Sequence, residues 1–355
     1  MESLLEDLLK ALHLPLVPGW HWSALVTTMV VSILGLGKGA DWLVDLAVSL
    51  SLRWGMPRVV VGATIVSLGT TTPEAVVSVM AAFAGSPQIA LGNAVGSIIC
   101  DTGLILGIGC LIAPLPIDPR VANRQGWMQF GAGFLLVALC FPWADPASAF
   151  TTGGVLPQWG GWLLVGLLVA YLWWSVRMAH QMPAEEGSAA EAEEHGVFRI
   201  VLCMLAAFAL VVVSSAFLIA TAKELALRME IPPAVIAATL VAFGTSLPEL
   251  TIVVTATLKG QGELAIGNVI GADILNVLFV AGAAATVTPA GLLAVPNFFQ
   301  MQFPAMLFVL LVFRIGIWEA KDRKLKRSFG VVLVAAYIAV TVLSFLVSGP
   351  APSVH

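Results

Sequence analysis

Two short segments of this chain place a carboxylate beside hydroxyl groups in the middle of long apolar stretches. They read Gly-Thr-Thr-Thr-Pro-Glu at 69–74 and Gly-Thr-Ser-Leu-Pro-Glu at 244–249. A charged side chain at the centre of a membrane span costs about 2.5–3.5 kcal/mol even on the milder insertion scales, so it marks a functional site by default. Carboxylate and hydroxyl oxygens are ligands for hard cations such as Ca²⁺. The two segments therefore predict a cation site inside a membrane, centred on Glu74 and Glu249.

Proline is expected to add main-chain oxygens to this site. Pro73 has no N–H, so the carbonyl of Gly69 loses its helical partner, and Pro248 does the same to Gly244. We expect an oxygen-rich helix break at each segment, because irregular backbone at membrane depth is tolerated where it lines a cavity. The hydroxyl groups at the two predicted breaks belong to Thr70, Thr71, Thr245 and Ser246.

The two segments belong to a longer internal repeat. Residues 57–99 align without gaps with 232–274 at an offset of 175, with 17 identical pairs in 43 positions. The aligned parts share a second motif, Gly-Asn-x-x-Gly, at 92–96 and 267–271. This agreement indicates duplication of one element, so each half of the chain should contribute equivalent residues to the site.

Further polar residues follow the second motif in each repeat. The offset pairs Asp101 with Asn276, and with the two glutamates they give a predicted centre of three carboxylates and one amide. The offset also pairs Asp273 with the apolar Ile98. Asp273 is therefore either an accessory ligand or a cap on a kinked helix.

The ligand types favour a transported cation over a resident cofactor. No His or Cys joins the centre, which argues against Zn, Cu or Fe. An oxygen cage suits Ca²⁺ or Na⁺, whereas Mg²⁺ gives up its water reluctantly. Up to three negative charges can be balanced by one divalent ion, by several Na⁺ ions or by protons. An antiporter requires this interchange of ions, and we expect no cofactor.

Composition places these motifs in a membrane protein. The chain of 355 residues is 59% hydrophobic and 11% charged, with a mean hydropathy of +0.96. Soluble domains average about 25% charged residues. A bilayer admits only helices or closed barrels, and the long, non-alternating apolar runs favour helices. A net charge of −4 gives no basic surface for nucleic acid, so the expected partners are inorganic cations and the lipid bilayer.

We predict an all-α polytopic membrane protein with ten transmembrane helices. Basic residues concentrate in the odd-numbered loops, so both termini are expected outside and the acidic linker 181–196 in the cytoplasm. The predicted spans are 22–52, 57–83, 89–113, 126–144, 159–180, 197–229, 232–258, 263–288, 298–318 and 329–348.

The odd number of predicted spans in each half determines how the two halves are oriented in the membrane. Residues 1–180 and 197–355 each contain five predicted spans, so the second half inserts in the opposite orientation. Inverted repeats are typical of secondary transporters, whose substrate site lies near the membrane midplane where the repeats meet. The chain is expected to function as a monomer in a prokaryotic plasma membrane.

At these motifs the chain resembles the sodium/calcium exchanger superfamily, the cation/Ca²⁺ antiporters, and especially their prokaryotic members. The resemblance covers all the predicted spans, and its specific part is two alpha-repeats, 57–110 and 232–285. It implies electrogenic exchange of Na⁺ for Ca²⁺ by alternating access, with the first and sixth spans sliding across the others. It also implies that Glu74 and Glu249 ligate Ca²⁺. The flanking hydroxyl and carbonyl ligands would come from Ser67, Thr70, Thr71, Ser97, Ala242, Thr245 and Ser246.

The chain departs from the family pattern near the centre. Relatives carry Asn in the first repeat and Asp in the second, whereas Asp101 and Asn276 reverse this order. An Asp at the position of Asn276 accompanies potassium dependence in relatives, so the Asn argues against a K⁺ requirement. Ala272 stands where a Ser is usual, which removes one hydroxyl.

Three functional classes compete on the sequence alone. The leading prediction is a Na⁺/Ca²⁺ antiporter that extrudes Ca²⁺, and a proton-coupled Ca²⁺ antiporter of the same fold is the alternative. A passive cation channel is a remote alternative, because channels usually gain symmetry by oligomerising around an axis. An enzyme is not expected, since no nucleophile–base pair lies in the repeats.

Overall fold

Long helices make up most of the described part of the chain. The computed structural model describes residues 20–83, 85, 87–179, 197–229, 245–320 and 322–348. Eight helices within these ranges are long and apolar enough to cross a membrane, namely all of those below except α4 and α7, so the prediction of a helical polytopic membrane protein is confirmed. The helices are α1 Trp22–Trp54, α2 Arg58–Phe83, α3 Pro87–Ile112, α4 Pro119–Cys140, α5 Gln158–Ala179, α6 Val197–Arg228, α7 Leu247–Leu258, α8 Gly262–Thr286, α9 Phe298–Glu319 and α10 Arg327–Ser348.

Helices α4 and α7 differ from the predicted spans. The span predicted at 126–144 was wrong in its bounds, because α4 begins at Pro119 and ends at Cys140. Asp118 caps its start by accepting a hydrogen bond from the main-chain N–H of Arg120 at 2.8 Å. Of the span predicted at 232–258, the structure describes the part from residue 245 onward.

Two short antiparallel β-ribbons modify the predicted all-α architecture. Strand β1 (Leu115–Pro116) pairs with β4 (Lys324–Leu325), and β2 (Gly154–Leu156) pairs with β3 (Leu292–Ala294). Strands of two or three residues are too short to leave a period-two pattern, so the sequence did not predict them. Each ribbon joins a loop of the first half to a loop of the second half, which fixes the loops after α3 and α9 together and those after α4 and α8 together.

The helices that carry the repeat motifs contain widened π turns. These turns lie at Gly62–Val66 in α2, Cys100–Ile105 in α3 and Asn276–Ala281 in α8. Single π turns inside α-helices are frequent at functional sites. The turns in α3 and α8 contain Asp101 and Asn276, so the irregular backbone lies at the predicted ligands.

The predicted break at Gly69–Pro73 is wrong. Helix α2 continues as a regular α-helix from Ser67 through Pro73 to Phe83. Two threonine hydroxyls in this segment donate to main-chain carbonyls of their own helix, Thr72 to that of Leu68 at 2.6 Å and Thr70 to that of Ser67 at 3.2 Å. Side-chain hydroxyls of this kind allow proline inside membrane helices.

Helices α2 and α8 cross with their backbones in close contact. A Cβ atom on Gly267 would lie 2.2 Å from the main-chain oxygen of Val59, and one on Gly62 would lie 2.6 Å from that of Leu264. Small residues permit this approach between membrane helices. The crossing brings the first repeat directly against the second.

This crossing gives a stability prediction. We expect Gly267→Val to lower the unfolding temperature in detergent or to prevent folding, because the new side chain meets main chain that cannot move aside. Overpacking of this kind costs about 1–3 kcal/mol or more. The matched control is Gly166→Val in α5, where an added Cβ meets nothing within 4 Å. Equal unfolding temperatures for the two variants would contradict the prediction.

Candidate cation-binding site

Four helices bring the four predicted central residues into one buried region. Glu74 lies on α2, Asp101 on α3, Glu249 on α7 and Asn276 on α8, and each is about 1% exposed. Glu249 interacts electrostatically with Glu74 and with Asp101, and Glu74 also interacts with Asp101. The three carboxylates therefore form one group of like charges drawn from both repeats.

Asp101 and Asn276 meet where the two repeats face each other. The side-chain nitrogen of Asn276 donates to Oδ2 of Asp101 at 3.5 Å, and the two residues are 175 positions apart, which is the repeat offset. The contact therefore joins two residues that the repeat alignment pairs. An amide opposite a carboxylate avoids the repulsion that two carboxylates would produce there.

Glu249 lies at the N-terminal end of its helix, which favours a negative charge. It lies in the first turn of α7, which begins directly after Ser246 at the N-cap position. The N-terminus of a helix carries a partial positive charge that favours an anion. Glu74, by contrast, lies within the continuous helix α2, so the two repeat glutamates reach the same region from different backbone settings.

The predicted hydroxyl ligands lie around these carboxylates in part. Thr70 and Thr71 are fully buried on α2, and the hydroxyl of Thr70 also contacts Oδ1 of Asn268 at 3.5 Å. The Thr70 hydroxyl neighbours Glu249, and the Ser246 hydroxyl neighbours Asp101. These contacts link α2 to α7 and α7 to α3.

The other predicted hydroxyl and carbonyl ligands do not all lie beside the carboxylates. Ser67 is buried, but its hydroxyl donates to the carbonyl of Thr64 at 3.3 Å within its own helix. Ser97 is buried one turn before Asp101 on α3. Ala242 lies outside the described residues, whereas Thr245 and Ser246 form the turn before α7.

Within the part of the chain that the structure describes, seven side-chain oxygens of the predicted set are buried and find no hydrogen-bond partner. A buried polar atom that lacks a partner costs about 1–3 kcal/mol, so such atoms are rare in native proteins. Among the described residues, no Lys or Arg forms an ion pair with the three carboxylates. The seven atoms are Thr71 Oγ1, Glu74 Oε2, Asp101 Oδ1, Thr245 Oγ1, Ser246 Oγ, Glu249 Oε2 and Asn276 Oδ1.

The carboxylates alone do not form a metal cage. In the part of the chain that the structure describes, no three His, Cys, Asp or Glu side chains are placed to hold one metal ion. A bound cation would therefore also need hydroxyl, amide or main-chain oxygens. This requirement suits Ca²⁺, which accepts six to eight mixed oxygen ligands at flexible geometry.

Asp273 is a fourth buried carboxylate, which interacts electrostatically with Asp101 and lies in a hydrogen-bond cluster that the sequence did not predict. Its Oδ2 accepts hydrogen bonds from the hydroxyl of Thr102 and from the amide of Gln129, the latter at 2.5 Å. Its other oxygen, Oδ1, has no partner. Gln129 lies outside the repeat motifs, so this contact identifies it and the sequence did not.

Gly69 has a different role from the bend expected of it. A Cβ atom at this position would lie 2.2 Å from the ring of Phe208 on α6, so Gly69 provides the surface on which that ring packs. Thr70 follows directly in the chain. The sixth helix therefore contacts the second helix immediately beside the predicted cation ligands.

Comparison with known proteins agrees with this arrangement. The sodium/calcium exchanger protein family matches residues 24–177 and 199–346. The inner membrane protein YrbG of Escherichia coli is 30% identical over 317 residues, which cover 87% of this chain and 93% of that protein. A sodium/calcium exchanger of Methanosarcina acetivorans is 27% identical over 347 residues, with coverage of 90% and 98%. A solved structure of the sodium-calcium exchanger NCX_Mj has a TM-score of 0.75 at 26% identity, over 90% of this chain and 98% of that chain.

The helical fold and the buried oxygen cluster are those of a multi-pass membrane protein that handles cations. The chain belongs to the sodium/calcium exchanger protein family, as a prokaryotic-type member. It is accordingly an antiporter for cations in a membrane. Sodium/calcium exchangers are among its relatives and among the solved structures that resemble it.

Proposed function

We propose that the chain exchanges Na⁺ for Ca²⁺ by alternating access and normally extrudes Ca²⁺. The observation that carries this proposal is made among the described residues: seven buried oxygens without a hydrogen-bond partner lie around three carboxylates that form no ion pair with a Lys or Arg. A group of this kind is stable only when a cation or protons balance its charge. The proposed ligands are Glu74, Asp101, Glu249 and Asn276, with Ser67, Thr70, Thr71, Ser97, Thr245, Ser246 and the carbonyl of Ala242 around them.

Charge balance accounts for exchange rather than one-way release. If Ca²⁺ left the three carboxylates without replacement, buried like charges would remain, and each uncompensated charge costs several kcal/mol. The site therefore changes access most easily when it is loaded with Ca²⁺ or with enough monovalent cations. Asn276 moderates the repulsion by presenting an amide to Asp101.

The same proposal includes ten transmembrane helices arranged as two inverted repeats, 1–180 and 197–355, joined by the linker 181–196. The β-ribbons support this count. Six helices, α4 to α9, separate the loops joined by β1 and β4, and four helices, α5 to α8, separate those joined by β2 and β3. Two loops joined by a ribbon must lie on the same side of the membrane, so the helices between them must cross it an even number of times. This condition holds for both ribbons only if α4 and α7 both cross the membrane.

Helices α1 and α6 are the proposed moving pair. They pack along each other, and the side chain of Arg228 near the end of α6 donates to the carbonyl of Trp20 before α1 at 2.6 Å. We propose that this pair slides across the other helices and exposes the site to each side in turn. The proposed membrane is a prokaryotic plasma membrane, and the concentration of basic residues in the odd-numbered loops supports an orientation with the termini outside and the linker inside.

The driving ion decides between the two antiport mechanisms. We expect proteoliposomes loaded with Na⁺ to take up radiolabelled Ca²⁺ when they are diluted into Na⁺-free buffer at equal pH on both sides. Uptake should stop when Na⁺ is replaced by choline inside the vesicles. The measurement is the initial rate of Ca²⁺ uptake with each gradient applied separately.

The other outcomes identify the alternatives. Uptake driven by a pH gradient alone, with no response to Na⁺, would contradict the proposal and support a proton-coupled antiporter. Ca²⁺ flux that continues without any counter-ion would instead support a channel. Vesicles without protein provide the control for leakage.

A further inference from the structure

Three buried polar side chains form a group beside the cation cluster in which each is hydrogen-bonded to the other two. The hydroxyl of Thr102 on α3 donates to Oδ2 of Asp273 on α8, and the amide of Gln129 on α4 donates to the same oxygen at 2.5 Å. The Gln129 amide also contacts the Thr102 hydroxyl oxygen at 3.1 Å. All three side chains are at most 2% exposed. The group therefore ties three helices together inside the protein.

This group is attached to the turn that carries Asp101. Thr102 follows Asp101 directly within the π turn Cys100–Ile105. A π turn interrupts the regular i→i−4 ladder, so the helix backbone alone specifies side-chain directions less firmly there. The bond from Thr102 to Asp273 adds a fixed point on α8 one residue away from the carboxylate. Asp273 itself lies one helical turn before Asn276, the contact partner of Asp101.

The hydrogen bond from Thr102 to Asp273, called the tie below, has no equivalent at the matching positions of the repeat. At the repeat offset of 175, the partner of Thr102 is Val277 and the partner of Asp273 is Ile98. Neither apolar side chain can make the equivalent hydrogen bond. The tie therefore fixes the turn that carries the carboxylate, whereas the matching turn around Asn276 has none of this kind.

We propose that Thr102 and Gln129 are positioning residues that act through Asp273 to hold Asp101 in its cation-binding orientation. In this role Asp273 is the anchor of the Asp101 turn rather than a ligand of the transported ion. The inference rests on the proposed function of Asp101 as a ligand. It assigns a role to helix α4, which contributes none of the proposed ligands.

The chain offers an isosteric test of this role. Thr102→Val keeps the shape of the side chain, removes the hydroxyl and introduces the residue found at the equivalent position of the second repeat. We expect the half-saturating Ca²⁺ concentration for exchange to rise by about 2- to 10-fold, the range for one lost hydrogen bond of ordinary strength. The maximal rate should stay within about twofold, because no proposed ligand is removed. Thr102→Ser, which keeps the hydroxyl, should behave like the unmodified protein.

Two further variants separate positioning from general stability. Gln129→Leu should raise the half-saturating Ca²⁺ concentration in the same direction as Thr102→Val. The matched control is Gln158→Leu, because Gln158 donates to the carbonyl of Thr286 at 2.8 Å, at the end of α8 remote from this group. Unfolding temperatures in detergent, measured with and without Ca²⁺, give a second readout. The gain in unfolding temperature on adding Ca²⁺ should shrink in Thr102→Val but not in Gln158→Leu.

The inference is overturned if Thr102→Val keeps both its Ca²⁺ half-saturation and its thermal response to Ca²⁺. It is also overturned if Thr102→Ser shows the same change as Thr102→Val. Neither result would affect the proposed antiport, which is tested separately by the driving-ion measurement on the unmodified protein.

Discussion

Glu249→Gln and Glu74→Gln are each expected to abolish Na⁺-driven Ca²⁺ uptake while the protein still folds. Glutamine has nearly the shape of glutamate but removes one of three buried charges that interact with one another. Removal of one partner of a buried pair of opposite charges, here a carboxylate that faces the bound cation, costs about 3–5 kcal/mol. This cost corresponds to about a hundredfold or more in affinity for the cation. The measurement is the initial rate of radiolabelled Ca²⁺ uptake into Na⁺-loaded proteoliposomes.

The folded state of these variants should not suffer. Removing a like charge from a buried group lowers the repulsion within it, so the unfolding temperature in the absence of Ca²⁺ should stay equal or rise. The matched control is Glu319→Gln, since Glu319 is exposed at the end of α9 and remote from the cluster. Normal uptake by either central variant would refute the assignment of that glutamate as a ligand.

The repeat explains why the central residues could be predicted from the sequence. Two matching motifs at a constant offset specified which polar residues must face each other, and the structure does bring Asp101 into contact with Asn276. Helices also follow from composition, because a bilayer leaves few alternatives for such apolar runs. Burial of Glu74 and Glu249 was expected for the same reason, and both are about 1% exposed.

The details of the backbone could not be predicted in the same way. Proline suggested a break near Gly69, yet the helix continues through Pro73 and the irregular turn of α2 lies at Gly62–Val66 instead. Local propensity does not reveal this outcome, because packing against neighbouring helices can hold a helix together through a proline. The requirement for glycine at position 69 comes from a tertiary contact with Phe208, which a local reading cannot supply.

Residues without a polar repeat partner were missed for a related reason. Thr102 and Gln129 have no polar repeat partner and belong to no motif, so only their common contact with Asp273 identifies them. Asp273 was noticed because it breaks the symmetry of the repeat, but the sequence did not show its hydrogen-bond partners. The structure therefore adds most at positions where the two repeats carry different residue types, because their contacts cannot be predicted from the repeat.

Exchanging the two residues at the repeat contact tests whether charge number or charge position controls transport. Asp101→Asn alone leaves two carboxylates in the proposed site, so we expect exchange to fall by about a hundredfold, as for the glutamates. Asn276→Asp alone adds a fourth charge to the group, so we expect tighter Ca²⁺ binding with a lower maximal rate, because release becomes the slow step. Both single variants should therefore transport poorly for opposite reasons.

The double variant Asp101→Asn with Asn276→Asp restores three carboxylates and moves one of them from α3 to α8. Because the two side chains lie 3.5 Å apart, the charge moves by little more than the length of a hydrogen bond. We therefore expect the double variant to transport faster than either single variant. Its Ca²⁺ half-saturation should no longer respond to Thr102→Val, since the anchored turn would then carry an amide instead of the charge. If the double variant is no faster than Asp101→Asn, the position of the carboxylate on α3 controls transport and the charge count does not.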